Sequence, residues 1–276
     1  MIRACALVEA GDAPGRNPLL GPLGRALRDR AVELLVFDVS RPWRPEMIPA
    51  ADIYLLKGDD AGVCAVGGYA ADRGARCLNS VEATLRVADK ARVHLLLDTA
   101  HLPVPDTSVA GDAAAVGELL ARADIPKVVK PLRGAHGVGV AIWHPGDAAP
   151  MPGPGPWLVQ DLVGGDGFDV KVYGVGDRYA VRRTRFHPGR ADGHREVVDQ
   201  PDPRVGEIAR AAARVCGLRC WGVDLLINPG GPVIVDVNSF PGYRTVPEAA
   251  NWVATAVVDV LDQPYGMTVG GAGRHT

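Results

Sequence analysis

The stretch Trp221-Gly-Val-Asp-Leu-Leu-Ile-Asn-Pro-Gly-Gly-Pro-Val-Ile-Val-Asp-Val-Asn-Ser-Phe-Pro-Gly-Tyr243 decides the reading of this chain. Two apolar runs, residues 222–227 and 232–237, flank the turn Asn228-Pro-Gly-Gly231, which predicts a hairpin. Each run carries an acid that an ordinary core strand would not hold, Asp224 and Asp236, and Asn238 follows two residues on. Alternation along a strand puts Asp236 and Asn238 on one face, and pairing across the turn brings Asp224 opposite them. Three oxygen ligands with no His or Cys suit a hard ion, Mg2+ or Mn2+, bound together with substrate phosphates. The competing reading makes both acids turn caps or solvated strand charges. Acids inside runs as apolar as Val-Ile-Val favour the metal.

Working outward, a chain of 276 residues with 47% apolar and 22% charged residues is long enough for two or three lobes around large cores. A net charge of −2 gives no drive toward nucleic acid or an anionic membrane, and 5% aromatics leave little for stacking bases. No run approaches the ~20 apolar residues of a membrane helix. Five cysteines, Cys5, Cys64, Cys77, Cys216 and Cys220, with no CxxC and no secretory signal, are read as reduced thiols in a cytoplasmic protein. No heptad seam is visible, so the oligomeric state is left open.

Strands alternate with helices over residues 1–80, with strands expected at 4–8, 32–39, 52–57 and 75–78 and helices at 19–31 and 61–74. This alternation predicts a small three-layer α/β domain with parallel pairing. Asn79-Ser80 is expected to cap one helix running toward Asp98. An extended Leu-Pro-Val-Pro segment follows, then a helix over 112–123 and strands over 127–132 and 140–143. Beyond a Pro/Gly-rich connection come strands over 157–162, 168–175 and 178–186, a helix over 202–217, the metal hairpin and a closing helix over 247–261. Three blocks result, 1–80, 81–163 and 164–262, with a flexible tail over 263–276.

Other residues carry candidate chemistry. Lys130 lies in an apolar strand, where a buried ammonium needs an anion. The loop after it holds Arg133, Gly134, His136, Gly137 and Gly139, small enough for backbone amides to approach phosphate. It lacks the Gly-Lys-Ser/Thr ending of a P-loop. Lys90 reads either as a solvated helix charge or as a phosphate ligand. Gln160 and Asp161 end a strand whose backbone can serve an adenine edge. Asp169 and Lys171 share a strand face, as an ion pair or as a ribose and phosphate site. The run Val181-Arg-Arg-Thr-Arg-Phe-His187 is a local basic patch, fit for a carboxylate or phosphate or simply a charged edge, with Arg183 its best candidate. The chain offers no Gly-x-Ser-x-Gly elbow and no nucleophile beside a base.

Taken in order, these pieces resemble the ATP-grasp superfamily over residues 75–261. The matching features are Asn79-Ser80, Asp89-Lys90, the Lys130 strand and its Gly-rich loop, the Gln160 strand, Asp169-Val-Lys-Val-Tyr-Gly-Val-Gly-Asp177, and the hairpin ending Asn-Ser-Phe-Pro-Gly. Two branches look closest. Glutamate ligases acting on ribosomal protein share acid-Val-Asn-Ser…Pro-Gly, though they commonly carry Glu where Asp236 stands. Inositol phosphate kinases of this type share Asn-x-Phe-Pro-Gly-Tyr and Lys-Val-Tyr-Gly-Val-Gly. The resemblance implies an α/β ATP-grasp fold, with a Rossmann-like three-layer N-terminal domain and two α+β subdomains clasping ATP. By the same resemblance, adenine lies near Gln160, Asp161, Leu162 and Val163. Lys90 and Lys130 hold the α- and β-phosphates, residues 134–139 cover the β- and γ-phosphates, and Asp169 and Lys171 adjoin the nucleotide. Asp224, Asp236 and Asn238 bind Mg2+ or Mn2+. Arg183 and Lys130 serve the transferred group, and Arg185, His187 and Tyr243 adjoin the acceptor. The activity implied is an ADP-forming carboxylate–amine ligase, working through an acyl phosphate on an amino-acid-like or peptide substrate. The alternatives are a kinase for a small polyol or inositol phosphate and a non-catalytic nucleotide binder.

Overall fold

A computed structural model describes residues 1–9, 17–134, 138–150, 155–165, 168–185, 195–198 and 202–264. Backbone alone is described at 185, 195 and 196. His136, Gly137 and His187 fall outside the described residues, as do the Arg185 side chain and most of the expected tail.

The N-terminal layer is a parallel sheet in the order β2-β1-β3-β4, formed by β1 (Ile2–Val8), β2 (Val32–Asp38), β3 (Ile53–Lys57) and β4 (Arg76–Leu78). Strand alternation sends Ala4, Ala6, Ile53 and Leu55 into one core with α1 (Leu20–Arg28) and α7 (Ala249–Asp262). Cys5, Leu7, Tyr54 and Leu56 enter the other with α2 (Ala61–Asp72). The three-layer expectation is met, and the chain's last helix supplies one of the layers.

The region expected as one helix from Ser80 to Asp98 is two, α3 (Val81–Val87) and α4 (Lys90–Thr99). Asp89 causes the break. Its carboxylate accepts from the Ala91 and Arg92 amides, so it starts a helix rather than lying inside one. Both helices pack into the core of the last sheet.

The lid is an antiparallel sheet in the order β5-β8-β6-β7: β5 (Thr107–Ala110), β6 (Lys127–Pro131), β7 (Ala141–Trp143) and β8 (Trp157–Asp161). Sequence reading missed β5. The helix α5 (Ala113–Ala121) packs on the face bearing Val129, Trp143, Trp157 and Val159. Val128, Lys130, Ile142, Leu158 and Gln160 alternate with these, on the opposite face.

The last sheet runs β11-β10-β9-β12-β13, all antiparallel: β9 (Phe168–Val175), β10 (Arg178–Arg185), β11 (Arg195–Val197), β12 (Cys220–Asn228) and β13 (Gly231–Ser239). Preceding β12, α6 (Pro203–Cys216) starts at an Asp202 cap with Pro203 in its first turn. It stops at Gly217, whose φ of +73° is left-handed. The face holding Val170, Val172, Val223 and Leu225 packs on α6. The other face carries the polar residues described next.

Candidate functional site

The hairpin pairs as its turn demands, with Asp224 directly opposite Asp236 and Gly222 opposite Asn238. Pairing continues to β9, where Lys171 lies opposite Asp224, and to β10, where Arg182 lies opposite Lys171. Asp236, Asp224, Lys171 and Arg182 therefore form one row on one face, with Asn238 beside it. The register slips between Asp224 and Leu225, which leaves Val235 as an extra residue on β13. Gly222 keeps the Asn238 side open: a Cβ there would meet Pro241 Cγ at 3.2 Å and Asn238 Cβ at 3.7 Å.

Each acid has its own lysine. Lys90 Nζ donates to Asp236 Oδ1 at 2.9 Å, and Lys171 Nζ donates to Asp224 Oδ2 at 2.5 Å. Burial acts to lower both ammonium groups, but the facing carboxylates outweigh it and hold them above their ordinary value. Burial acts to raise Asp236, yet Lys90 and Lys130 hold it below the usual carboxylate range. Lys130 differs. Its Nζ donates to the Val235 carbonyl at 3.1 Å, and burial pushes its pKa down to about 8. Asp236 acts against that shift and Lys90 reinforces it. Asp169 is raised by burial despite Lys171.

The donor set fits a hard divalent ion. Two carboxylates and an amide share one face, and an ammonium group is paired with each carboxylate. Among the described residues no group of three or more His, Cys, Asp or Glu could hold a metal, so an ion bound here would need other ligands from water or phosphate.

The cleft between lid and last sheet is walled by Lys90, Val93 and His94 of α4, Lys130, Leu158 and Gln160 of the lid, and residues 234–237 of β13. His94 is one helical turn beyond Lys90 and was not anticipated from sequence; burial lowers its pKa. Gln160 Nε2 donates to Thr107 Oγ1 at 2.8 Å, so this side chain is committed to the lid. Asp161 accepts from Lys127, and the amides of Asp161 and Leu162 donate to Asp106 and Pro126. Among the described residues, Val163 thus offers the first hinge amide with no backbone acceptor. Leu226 shares the Asp224 face and lies 3.8 Å from a Cβ built on Gly165, giving the hinge an apolar floor. Gly134 and Gly139 have φ of +140° and +74° at either end of the lid loop.

Two expected residues lie elsewhere. Arg183 pairs with Val170, so it belongs to the opposite face, and its guanidinium stacks 3.7 Å from the Phe168 ring centre. Strand parity gives the site face to Arg182 instead. Tyr243 is buried in the core, donating to Gly174 O at 2.8 Å and packing against Tyr173 and Phe240. The five thiols are free, and burial raises all of them, which disqualifies each as a nucleophile.

Asn79 was read only as part of a helix cap. Ser80 does cap α3, accepting from the Ala83 amide, but Asn79 turns to the hairpin. It donates to Cys220 O and Ser239 Oγ and accepts from the Arg219 and Cys220 amides, all within 2.7–2.9 Å. It ties the start of β12 to the end of β13.

Two sheets closing on a cleft, with lysines from the lid and the preceding helix and acids from the last hairpin, define an ATP-grasp protein. Solved structures agree: a RimK-domain ATP-grasp protein from Sphaerobacter thermophilus matches with TM-score 0.76 at 22% identity, covering 94% of this chain and 98% of its own. D-alanine–D-alanine ligase from Bacillus anthracis, complexed with ATP, matches with TM-score 0.67 at 14% identity over 95% of this chain and 97% of its own. In sequence, residues 87–260 match the RimK-like ATP-grasp domain. The "Probable alpha-L-glutamate ligase 2" of Hahella chejuensis is 32% identical over 214 residues, covering 72% of this chain and 70% of that protein. The chain belongs to the RimK-like ATP-grasp family, whose chemistry is ATP-dependent, ADP-forming ligation.

Proposed function

We propose that this chain joins the amine of L-glutamate to the carboxylate of a second amino acid or peptide, consuming ATP in the presence of Mg2+. The observation that carries this reading is the row Asp236–Asp224–Lys171 facing the Lys130 lid. It provides two carboxylates for a metal and lysines for phosphates, with no protein nucleophile. The glutamate is taken from the names of relatives.

In the first step a carboxylate oxygen of the acceptor attacks the γ-phosphorus. The bond to the β-phosphate oxygen breaks, ADP leaves with its electron pair, and an acyl phosphate remains. In the second step the amine nitrogen attacks the acyl carbon, phosphate departs, and the nitrogen gives up a proton. Lys90 and Lys130 hold the phosphates in place and offset their charge. Val163 and the floor at Leu226 orient the base. Asp224, Asp236 and Asn238 would hold Mg2+, which supplies Lewis acidity at the phosphoryl oxygens. Closure of the lid face bearing Val128, Ile142 and Leu158 excludes water from the acyl phosphate.

The segment that resembles inositol phosphate kinases favours no second reading. Phe240 and Tyr243 lie in the core and pack there, so the likeness concerns packing. The cytoplasm suits a chain with five free thiols, and among the described residues no helix is long and apolar enough to cross a membrane.

The test is ADP release with L-glutamate and a peptide acceptor, run with and without hydroxylamine. A ligase yields a hydroxamate with hydroxylamine in place of the amine. ADP release with no trappable acyl group points to a kinase, and Mg-ATP binding without ADP release points to a binder.

A further inference from the structure

We infer that Arg182, together with the hydroxyls of Thr184 and Thr245, forms the site that recognises a carboxylate of the incoming amino acid. The inference rests on the ligase reading above and adds the residues that select its substrate.

Arg182 ends the row that starts at the metal ligands, and only 6% of it is exposed. A guanidinium has five N–H donors. Here Nε, at 2.9 Å, and Nη2 donate to the Thr245 carbonyl, and Nη1 donates to the Val181 carbonyl at 2.9 Å. One N–H remains on each terminal nitrogen, a donor for each of the two oxygens of a carboxylate. Both acceptors in use are neutral. Among the described residues no carboxylate lies within ion-pair distance of Arg182, and its cross-strand neighbour is another cation, Lys171, already committed to Asp224. A buried cation opposite a like charge is costly unless an anion joins it.

Two further buried polar groups, on residues linked to Arg182 by strand parity and by the Thr245 carbonyl, lack partners. Thr184 follows Arg182 by two residues on the same face and is 8% exposed, yet its hydroxyl makes no hydrogen bond, although Asp169 is its cross-strand partner. Thr245, whose carbonyl anchors Arg182, also has a buried hydroxyl without a partner. Native proteins seldom leave such atoms unsatisfied. Two spare N–H donors, two spare hydroxyls and a positive charge with no carboxylate beside it among the described residues together describe a missing oxyanion. The segment carrying Thr245 follows Asn238 directly, so the anion would be held by the chain that leaves the metal site.

The experiment titrates L-glutamate, and separately L-glutamine and L-glutamic acid α-amide, into the full chain holding Mg2+ and a non-hydrolysable ATP analogue. The wild type should bind glutamate saturably and reject one of the two amides by about 30-fold or more, which identifies the carboxylate held. Arg182→Gln should weaken glutamate by a similar factor and lose the discrimination, with Mg-ADP affinity unchanged within about twofold. Thr184→Val, nearly the same shape, should weaken glutamate about fivefold. Glutamate affinity and discrimination both unchanged in Arg182→Gln overturn this inference and leave the ligase reading standing. Should that variant fail to fold, unchanged affinity in Thr184→Val overturns it. Absence of glutamate binding to the wild type overturns the inference and the proposed substrate together, whereas the hydroxamate test judges the ligase reading by itself.

Discussion

Asp224 faces Asp236 directly across the last hairpin, and the extra residue Val235 bends β13 immediately beside the pair. Two acids in cross-strand register repel each other, a cost that the fold meets with one lysine apiece. A divalent cation bound at the pair would displace the ammonium groups toward phosphate. Asp236→Asn keeps the shape and removes one charge. Turnover should fall by about 100-fold or more. In calorimetry, Mg2+ should strengthen ADP binding to the wild type and have almost no effect on the variant. An equal Mg2+ effect in both proteins would refute the metal assignment.

Lys130 predicts a pH dependence. In the fold it gives up its proton near pH 8, against an ordinary value of 10.5. Polyphosphate binds the charged form, so ADP affinity should hold below pH 8 and fall as pH rises through 8, by up to about tenfold per unit. Lys130→Met should bind ADP weakly with a flat profile from pH 7 to 9. Stability of the ligand-free chain runs the other way. Between pH 8 and 10.5 the unfolded lysine is protonated while the folded one is not, so raising pH across that window stabilises the fold. A wild-type ADP affinity that stays constant through pH 8 would contradict the burial seen here.

Most of the fold was legible because its signals are local. The hairpin announces itself through its turn and through acids that break apolar runs, and Asp202, Pro203 and Gly217 punctuate α6 by local rules. Distant partners carry the rest. Asp89 reads as one more polar residue on a helix until its neighbour's amide, on Lys90, is seen bonded to Leu132 O. The short strand β5 has its one partner among the described residues about fifty residues later, in β8. The choice between Arg182 and Arg183 depends on strand parity. A shift of one residue exchanges the faces, and with arginines at 182, 183 and 185 composition alone cannot select the register.

The position of Arg183 predicts a mild phenotype for a residue in so basic a strand. Arg183→Ala removes a guanidinium stacked on Phe168, worth about 0.5–1 kcal/mol of stability. Mg-ADP affinity and turnover should both stay within about threefold of wild type, in contrast to Arg182→Gln. A selective loss of turnover of about 100-fold in Arg183→Ala, with the fold intact, would return this side chain to the reacting centre.

Asn79 ties the N-terminal domain to the metal hairpin through four hydrogen bonds, three of them buried, the residue being 2% exposed. Asn79→Ala would leave the Arg219 and Cys220 amides without their acceptor, while Cys220 O keeps the Phe240 amide, costing about 2–4 kcal/mol. A chain of this size should then melt about 5–15 °C lower. Asn79→Asp separates the two halves of the contact. Its oxygens still accept from the amides, but the donor to Cys220 O and Ser239 Oγ is gone, and a buried negative charge is introduced. It should therefore destabilise at least as much as alanine at pH 8 and recover part of the loss toward pH 5, where the carboxyl can regain a proton and donate. Because Ser239 follows Asn238, both variants should also weaken Mg-ADP more than metal-free ADP. Melting curves at the two pH values, with ADP titrations with and without Mg2+, decide the matter. Unchanged melting in Asn79→Ala would show that the hairpin holds its register without this side chain.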